Sequence, residues 1–203
     1  MYALVEDGSI SKLITNPKAM VIGDVRYPAK IFSVWSQSEL NAIGIYEVIT
    51  DSTNFKDQAY YINTNEEYNF ADNQVTRSWG TATPKRLEDE DAVDQDGENI
   101  LDDDGNQVIN YGLKTEKKRI VKQQASGLLE KTDWHNHKAL DDETYTIPDN
   151  IKTYRANVRA KSNEMESQID ACTNVDELKA LYEYTRQEDG TQTRPLAEFP
   201  KEI

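Results

Sequence analysis

The residues best suited to metal chemistry are His135 and His137, the two histidines of the chain, which lie one residue apart. Imidazole nitrogens are common zinc ligands, and the carboxylates of Asp133, Asp141, Asp142 and Glu143 are close by in sequence. A zinc site needs at least a third well-placed ligand, and this spacing matches none of the strong zinc-binding patterns. The sequence therefore favours a polar loop around the histidines and predicts no metal site.

Carboxylates are concentrated in residues 88–106, EDEDAVDQDGENILDDDGN, which contain ten acids and no base. An EF-hand calcium loop requires an acid five residues before its glycine. Ala92 and Ile100 occupy those positions ahead of Gly97 and Gly105, so the calcium pattern fails. We expect solvated loops and hairpin turns in this segment, with loose cation binding left open.

Covalent catalysis finds little support in the residue pattern. The chain lacks the glycine-rich motifs that cradle phosphates and the G-x-S-x-G motif of a nucleophile elbow. Carboxylates are so abundant that no pair stands out as the two catalytic acids of a glycosidase. The single cysteine, Cys172, falls on an apolar stripe and is expected to pack as a small buried hydrophobe. We therefore expect no enzyme activity and no cofactor.

The charge and the composition exclude several classes of partner. Of the net charge of −14, residues 88–106 contribute −10, so the remainder of the chain is nearly balanced. A strongly negative segment repels phosphates, which argues against nucleic acids and anionic membrane surfaces as partners. The first residues predict no signal peptide, and no stretch approaches the ~20 apolar residues of a membrane span. Hydrophobic residues make up 37% of the chain, which suggests a thin core supported by other chains.

Two pairs of side chains are candidates for binding. Arg155 and Arg159 lie one helical turn apart, so they could together hold one carboxylate of a partner. The alternative is that both arginines are exposed and pair with nearby acids of the same chain. Trp79 and Trp134 are expected to act as packing anchors, whose indole N–H groups need a hydrogen-bond partner if they are buried.

The elements that position these residues are predicted to form an α+β fold with a hairpin-rich N-terminal half and a helical C-terminal half. Residues 1–112 are predicted to be a β-rich domain that includes the acidic hairpin segment 88–106. Alternating apolar runs in this domain flank short turn-forming pairs, which favour tight hairpins. These pairs are Asp7-Gly8, Asp72-Asn73 and Asp104-Gly105.

Residues 113–203 are predicted to be a domain of two or three helices that ends in an extended tail, 187–203. A first helix is expected over 114–131, followed by a loop and by a second helix that starts at Pro148. Apolar residues at helical spacing form a stripe on the second helix, at Ile151, Tyr154, Val158, Met165, Ile169 and Cys172. The stripe is interrupted at Lys161 and Ser162, and it could also serve as a self-association seam. Asn174 with Glu177 predicts the start of a further helix.

One part of the chain resembles a known family. The stretch LLEKTDW (128–134), a polar loop, a proline-started helix and YRANVRA (154–160) resemble the C-terminal signature of tailed-bacteriophage tail proteins. These are the tail-fibre assembly and tail assembly chaperone-like proteins and related virion tail components. The matching positions are Leu128, Leu129, Thr132, Asp133, Trp134, Tyr154, Arg155 and Arg159. The opening MYALVEDGSI and the stretch NQVTRSWG are more weakly similar to such proteins.

The resemblance implies a structural component of a phage tail that docks on other tail or tail-fibre proteins, or on further copies of itself, in virion assembly and host attachment. It implies location in the virion tail, and in the host cytoplasm during assembly. The residues expected to pack or interact are Leu128, Leu129, Asp133, Trp134, Ile151, Tyr154, Arg155, Val158, Arg159 and Trp79. One alternative is a tail-fibre assembly chaperone that is absent from the mature virion. Another is a tail-tip protein that stacks sugar rings on exposed Tyr60, Tyr61 and Trp79.

Overall fold

A computed structural model describes all residues of the chain, 1–203. The chain divides into two compact units, Met1–Thr83 and Pro84–Ile203. The expected boundary at 112/113 is therefore replaced by one at 83/84, and the acidic segment 88–106 belongs to the second unit. The physical reason is a set of contacts around Gly112, whose N–H donates to Asp89 Oδ1 at 2.7 Å.

The first unit is built mainly from strands. Its elements are β1 (Tyr2–Glu6), β2 (Ser9–Ile14), β3 (Met20–Ile22), β4 (Val25–Tyr27), α1 (Ile31–Val34), α2 (Gln37–Asn41), β5 (Ile45–Thr50), β6 (Tyr61–Ile62), β7 (Glu67–Ala71), β8 (Gln74–Ser78) and β9 (Thr83–Pro84). Five of the strands form one sheet in the order β2-β1-β5-β8-β7. Neighbouring strands are antiparallel except β5 and β8, which run parallel.

Two tight turns in this sheet confirm the turn-forming pairs read from the sequence. Asp7 and Gly8 have φ values of 50° and 75°, and they join β1 to β2. Asp72 and Asn73 have φ values of 51° and 59°, and they join β7 to β8. Consecutive left-handed residues have the backbone twist that matches the twist of hairpin strands. The local sequence therefore sets the register of both hairpins.

The core of the first unit lies on both sides of the sheet. On one side, five buried residues pack together, namely Leu4, Ile14, Ile31, Leu40 and Ile45. On the other side, Ala3 and Val5 of β1 pack against Val75 of β8. Alternate residues of β1 face opposite sides, because side chains alternate along a strand. Helix α2, which carries Leu40, starts with a capping box formed by Ser36 and Glu39.

The second unit contains most of the helical residues. Its elements are β10 (Glu90–Asp91), β11 (Ile109–Asn110), α3 (Leu113–Glu130), α4 (Asp133–Asp141), α5 (Asp149–Ala171), α6 (Val175–Ala180), β12 (Thr185–Arg186) and β13 (Gln192–Thr193). The sheet in the N-terminal half and the helices in the C-terminal half agree with the expected mixture of strands and helices. The second unit has four helices, however, where two or three were expected.

The additional helix is α4, which replaces the polar loop expected around His135 and His137. Its first turn carries Asp133 and its last turn carries Lys138. This charge order is favourable, because a helix has a partial positive charge at its N-terminus and a partial negative charge at its C-terminus. The periodicity of apolar residues is weak in this short helix, which explains why sequence patterning missed it.

The apolar stripe predicted on the second helix forms the inner face of α5. Tyr154, Val158, Met165 and Ile169 are buried, and α5 packs along α3. The helix continues through the expected interruption, where Ser162 is itself buried. The stripe is therefore covered within the chain and is not available as a self-association seam. No helix of the chain combines the length and the apolar character that a membrane span requires.

The expected extended tail, 187–203, is ordered in two parts. Residues 187–193 lie within a small hairpin in which β12 pairs with β13. Beyond the hairpin, Leu196 is buried. The side chain of Gln168 on α5 forms hydrogen bonds with the backbone on both sides of Leu196. Gln168 Nε2 donates to Pro195 O at 3.0 Å, and Ala197 N–H donates to Gln168 Oε1 at 2.8 Å.

Candidate functional site

The residues of the family-like signature converge on Arg155, which α5 places against the junction of α3 and α4. Arg155 is only 7% exposed. One guanidinium nitrogen, Nη2, lies 2.7 Å from Asp133 Oδ1. The other terminal nitrogen, Nη1, donates to Leu129 O at 2.8 Å and to Thr132 Oγ1 at 2.7 Å. A buried charge is costly unless it is paired and hydrogen-bonded, and Arg155 satisfies both conditions.

The local reason for this arrangement is the end of α3. The last carbonyls of a helix lack partners within the helix, and a cation near them is favourable. Leu129 O receives hydrogen bonds from the Arg155 guanidinium, from Thr132 Oγ1 at 2.9 Å and from Thr132 N–H at 3.0 Å. Asp133 then begins α4, so one arginine joins the end of α3 to the start of α4. We call Leu129, Thr132, Asp133 and Arg155 the arginine latch.

An apolar cluster lies beside the latch. Tyr154 and Val158 of α5 are buried together with Ala125 of α3. The half-buried leucine pair, Leu128 and Leu129, packs against this cluster, as does Phe199 of the C-terminal segment. The leucine pair was expected to pack, and these contacts place it between α3 and α5, whereas Trp134 lies outside the cluster. Leu128, Leu129, Tyr154 and Val158 therefore contribute to the core of the unit rather than to its surface.

A second polar cluster holds α4 to the loop that follows it. His135 is buried, and its Nδ1 lies 2.5 Å from the hydroxyl of Tyr145. The indole of Trp134 stacks on the His135 ring with centroids 3.7 Å apart. Lys138 Nζ lies 4.4 Å from the centroid of the Tyr145 ring, on its face. These contacts order the loop, and they leave Trp134 exposed over 54% of its surface.

Four of the predicted residues, Arg159, Ile151, Trp134 and Trp79, lie outside both the latch and the apolar cluster. Arg159 is exposed and makes no ion pair, so it does not share a carboxylate with Arg155. The alternative of exposed arginines paired with nearby acids is wrong about the exposure of Arg155, which is buried, although Arg155 does pair with Asp133. Ile151 is half-buried at the start of α5, and Trp134 stacks on a neighbouring ring instead of entering the core. The reason for the burial of Arg155 is its position on the face of α5 that meets the end of α3.

Trp79 belongs to a separate aromatic group in the first unit. Its ring centroid lies 4.7 Å from that of Phe55, and the guanidinium of Arg77 lies 4.5 Å from its centroid. Tyr60 and Tyr61 are buried, at 6% and 4% exposure, so they offer no exposed surface to a sugar ring. The expectation that Tyr60, Tyr61 and Trp79 form one exposed stacking surface is therefore wrong for the two tyrosines.

The chemistry of the remaining candidates is limited by their surroundings. No group of three or more His, Cys, Asp or Glu side chains is arranged to hold a metal ion. Cys172 is buried, and burial raises the pKa of its thiol, as does the nearby charge of Glu177. A raised thiol pKa reduces the thiolate fraction near neutral pH, and the thiolate is the reactive form.

Sequence patterns missed three residues that hold the helical unit together. Tyr145 and Phe199 lie in irregular segments, where no periodicity marks a residue as buried. Gln168 lies on α5 beside the buried stripe. Its side-chain amide forms hydrogen bonds with the backbone of Pro195 and Ala197, nearly thirty residues later in the chain. The one available signal was the presence of apolar residues, Leu196 and Phe199, in a proline-containing terminal segment.

No family model matches the chain, and neither a curated protein nor a solved structure is similar to it.

Proposed function

We propose that this α+β chain is a structural component of a bacteriophage tail, associated with the tail fibre or the baseplate. It acts by binding neighbouring tail or tail-fibre proteins during virion assembly and host attachment, and it catalyses no reaction. It is located in the virion tail after assembly in the host cytoplasm. The resemblance of residues 128–160 to the tail-protein signature supports the proposal, together with the geometry of that stretch.

The observation that carries the proposal is that α4 is fixed at its start and exposes two large apolar side chains. The arginine latch holds Asp133, the first residue of the helix, beside the end of α3. Trp134 and Leu140 are exposed, Trp134 over 54% and Leu140 over 81% of its surface. Tryptophan is enriched among the residues that dominate binding energies at protein interfaces. A rigidly held helix with exposed apolar side chains suits docking on a neighbouring protein, because little conformational freedom is lost on binding.

The test is quantitative mass spectrometry of purified particles from the phage that encodes the chain. We expect the chain at a constant ratio to the other tail proteins across the fractions of a density gradient. A chain that is abundant in the assembly lysate and missing from purified particles would instead be an assembly chaperone. A chain that associates with tail proteins in neither sample would contradict both roles.

A double substitution tests whether the exposed apolar side chains of α4 form the docking surface. Trp134→Ser with Leu140→Ser removes apolar surface and keeps the four latch residues, but it also removes the stacking on His135. Once circular dichroism shows that the variant is folded, we expect it to be incorporated into fewer particles. Val21→Ser with Val34→Ser removes exposed apolar surface from the first unit and serves as the matched control. Equal incorporation of both variants would show that α4 is not the docking surface.

A further inference from the structure

The acidic segment is a compact folded element rather than a loose loop. The backbones of Ala92, Ile100 and Val108, eight residues apart, form a closed ring of hydrogen bonds. Ile100 N–H donates to Ala92 O at 2.9 Å, Val108 N–H to Ile100 O at 2.9 Å, and Ala92 N–H to Val108 O at 2.8 Å. Each of the two connecting stretches therefore folds back on itself as a short hairpin.

The two hairpins have the same turn chemistry. Asp94 Oδ1 accepts hydrogen bonds from the N–H groups of Asp96 and Glu98, both at 2.9 Å. Asp102 Oδ1 accepts in the same way from Asp104 N–H at 3.0 Å and Asn106 N–H at 2.8 Å. Aspartates that bind their own backbone in this way are typical of rigid turns. The acids of the segment are therefore held in defined positions.

This element presents acidic and aliphatic side chains together. Residues 92–108 carry six acids, and none of them forms an ion pair within the chain, whereas Glu88 and Glu90, which precede them, do. Four aliphatic side chains on the same element are exposed, namely Val93, Ile100, Leu101 and Val108, and Leu101 is 56% exposed. We call this surface, residues 92–108, the acidic hairpin surface.

The outer face of α3 has the complementary composition. Residues 113–130 carry five cations and two acids, in a chain whose net charge is −14. A groove of about 630 Å³ runs along this helix, and its lining includes three cations, Lys118, Arg119 and Lys122, one acid, Glu116, and the ring of Tyr111. Tyr111 is 63% exposed at one end, and Ile120 is exposed beside the groove. The groove therefore combines cations with an aromatic and an aliphatic contact.

The cations of the groove differ in how far they are engaged by the chain itself. Lys118 Nζ lies 2.7 Å from Asp170 Oδ1, and this hydrogen bond raises the pKa of the lysine. Arg119 has only a 3.8 Å contact with Glu116, and its side chain is 65% exposed. Lys122 lies 3.3 Å from Glu166 and is similarly exposed. Exposed pairs of this kind contribute little, so Arg119 and Lys122 remain able to bind a second carboxylate.

We propose that the α3 groove of one copy binds the acidic hairpin surface of a second copy, in a head-to-tail association. Carboxylates of one molecule would face Arg119 and Lys122 of the other, while Leu101 and its aliphatic neighbours would contact Tyr111 and Ile120. A single linking stretch, Tyr111-Gly112, joins β11 to α3. Within one copy, Lys118, Arg119 and Lys122 pair with Asp170, Glu116 and Glu166, all of which lie outside residues 92–108.

The proposed contact is heterologous, because two different surfaces meet. Such a contact leaves one groove and one acidic surface free in a pair, so further copies can add to form a ring or a filament. The association should weaken with salt, since the Debye length shortens from about 10 Å at 0.1 M to about 3 Å at 1 M ionic strength. The inference concerns the purified chain alone, so it stands or falls independently of the tail assignment.

The experiment is sedimentation equilibrium of the full chain at several concentrations and salt levels. We expect the apparent mass to rise above the 23.2 kDa of one copy as the concentration increases at low salt. Arg119→Glu with Lys122→Glu in the groove should weaken the association at least about tenfold, as should Asp96→Lys with Asp103→Lys on the acidic surface. The side chains of Asp96 and Asp103 make no hydrogen bond, so the turns are preserved.

An equimolar mixture of the groove variant and the acidic-surface variant is the decisive arm. Each variant alone should be monomeric, because its groove and its acidic surface then carry charges of the same sign. The mixture should associate, because the groove of each variant faces a surface of opposite charge on the other variant. The control variant, Lys18→Glu with Lys201→Glu, changes the net charge by the same amount as the groove variant, at exposed lysines elsewhere. It should associate like the wild type.

Three results would overturn the proposal: a wild-type chain that stays monomeric, variants that associate like the wild type, or a mixture that stays monomeric. Circular dichroism establishes that each variant is folded. If the acidic-surface variant is not folded, Asp96→Asn with Asp103→Asn replaces it and should still weaken the self-association.

Discussion

Arg155 and Asp133 form an ion pair with Nη2 and Oδ1 2.7 Å apart, and the same guanidinium binds the last turn of α3 through Nη1. The arginine is buried, whereas the aspartate side chain is 45% exposed. The two partners are therefore not equivalent. Removing the arginine takes the charged donor from Leu129 O, which keeps its two bonds from Thr132, and from Thr132 Oγ1. Removing the aspartate leaves a guanidinium that keeps two hydrogen bonds.

Replacing Arg155 should destabilise the helical unit strongly. We expect Arg155→Met to lower the free energy of unfolding by roughly 2–3 kcal/mol, because buried acceptors lose a charged donor. Asp133→Asn should cost less, since solvent reaches that side of the pair. Urea unfolding followed by the helical circular dichroism signal measures both. Arg159→Met is the matched control on the same helix, and its effect should stay within about 0.5 kcal/mol.

The amide of Gln168 should control the docking of the C-terminal segment. In Gln168→Ala, the Ala197 N–H loses its acceptor and the Pro195 carbonyl loses its donor. We expect amide exchange of the peptide that contains Ala197 to become at least about tenfold faster, while α5 itself stays protected. Hydrogen exchange with mass spectrometry gives the comparison. Gln124→Ala, an exposed glutamine on α3, should leave exchange in the segment unchanged.

Two glycines should respond to alanine in opposite directions. At Gly44, φ is +80° and an added Cβ would lie 2.6 Å from Val5 O, so Gly44→Ala should destabilise the first unit by roughly 1–3 kcal/mol. Gly127 lies inside α3 with open space around the Cβ position. Gly127→Ala should therefore stabilise the second unit by about 0.5–1 kcal/mol. Thermal unfolding of both variants tests the contrast, and equal shifts in the same direction would contradict it.

The pKa of the Glu177 carboxyl group should lie below its ordinary value. The N–H of Thr173 donates to Glu177 Oε2, as does the Thr173 hydroxyl, and these bonds lower the pKa of the glutamate below 4.5. The ionised form is thus favoured in the folded state. Its contribution to stability is present above pH 4.5 and is lost as the pH falls through the lowered folded-state pKa.

Carbon-detected NMR of the carboxyl group measures this titration. In Thr173→Val the hydroxyl is removed and the N–H remains, so the pKa of Glu177 should rise part of the way towards 4.5. A midpoint in the wild type at or above the ordinary value would show that the cap at the start of α6 does not form in solution.

The sequence by itself determined the features that depend on neighbouring residues. The hairpins at Asp7-Gly8 and Asp72-Asn73 follow from pairs that tolerate positive φ, and the caps at Ser36 and Asn174 follow from side chains that reach the backbone three residues on. The α5 stripe was equally readable, because helical periodicity places its apolar residues on one face. These signals are local, so no knowledge of distant contacts was needed.

The tertiary structure decided which charged and aromatic residues are enclosed. Arg155 and Arg159 share a helix and a residue type, yet only Arg155 faces the end of α3 and becomes buried. The acidic segment joined the helical unit through contacts of residues 86–89 with the start of α3, which no local pattern indicates. The enclosure of such groups depends on partners far away in the sequence, because burying a charge is favourable only where a folded chain supplies its counter-charge and hydrogen bonds.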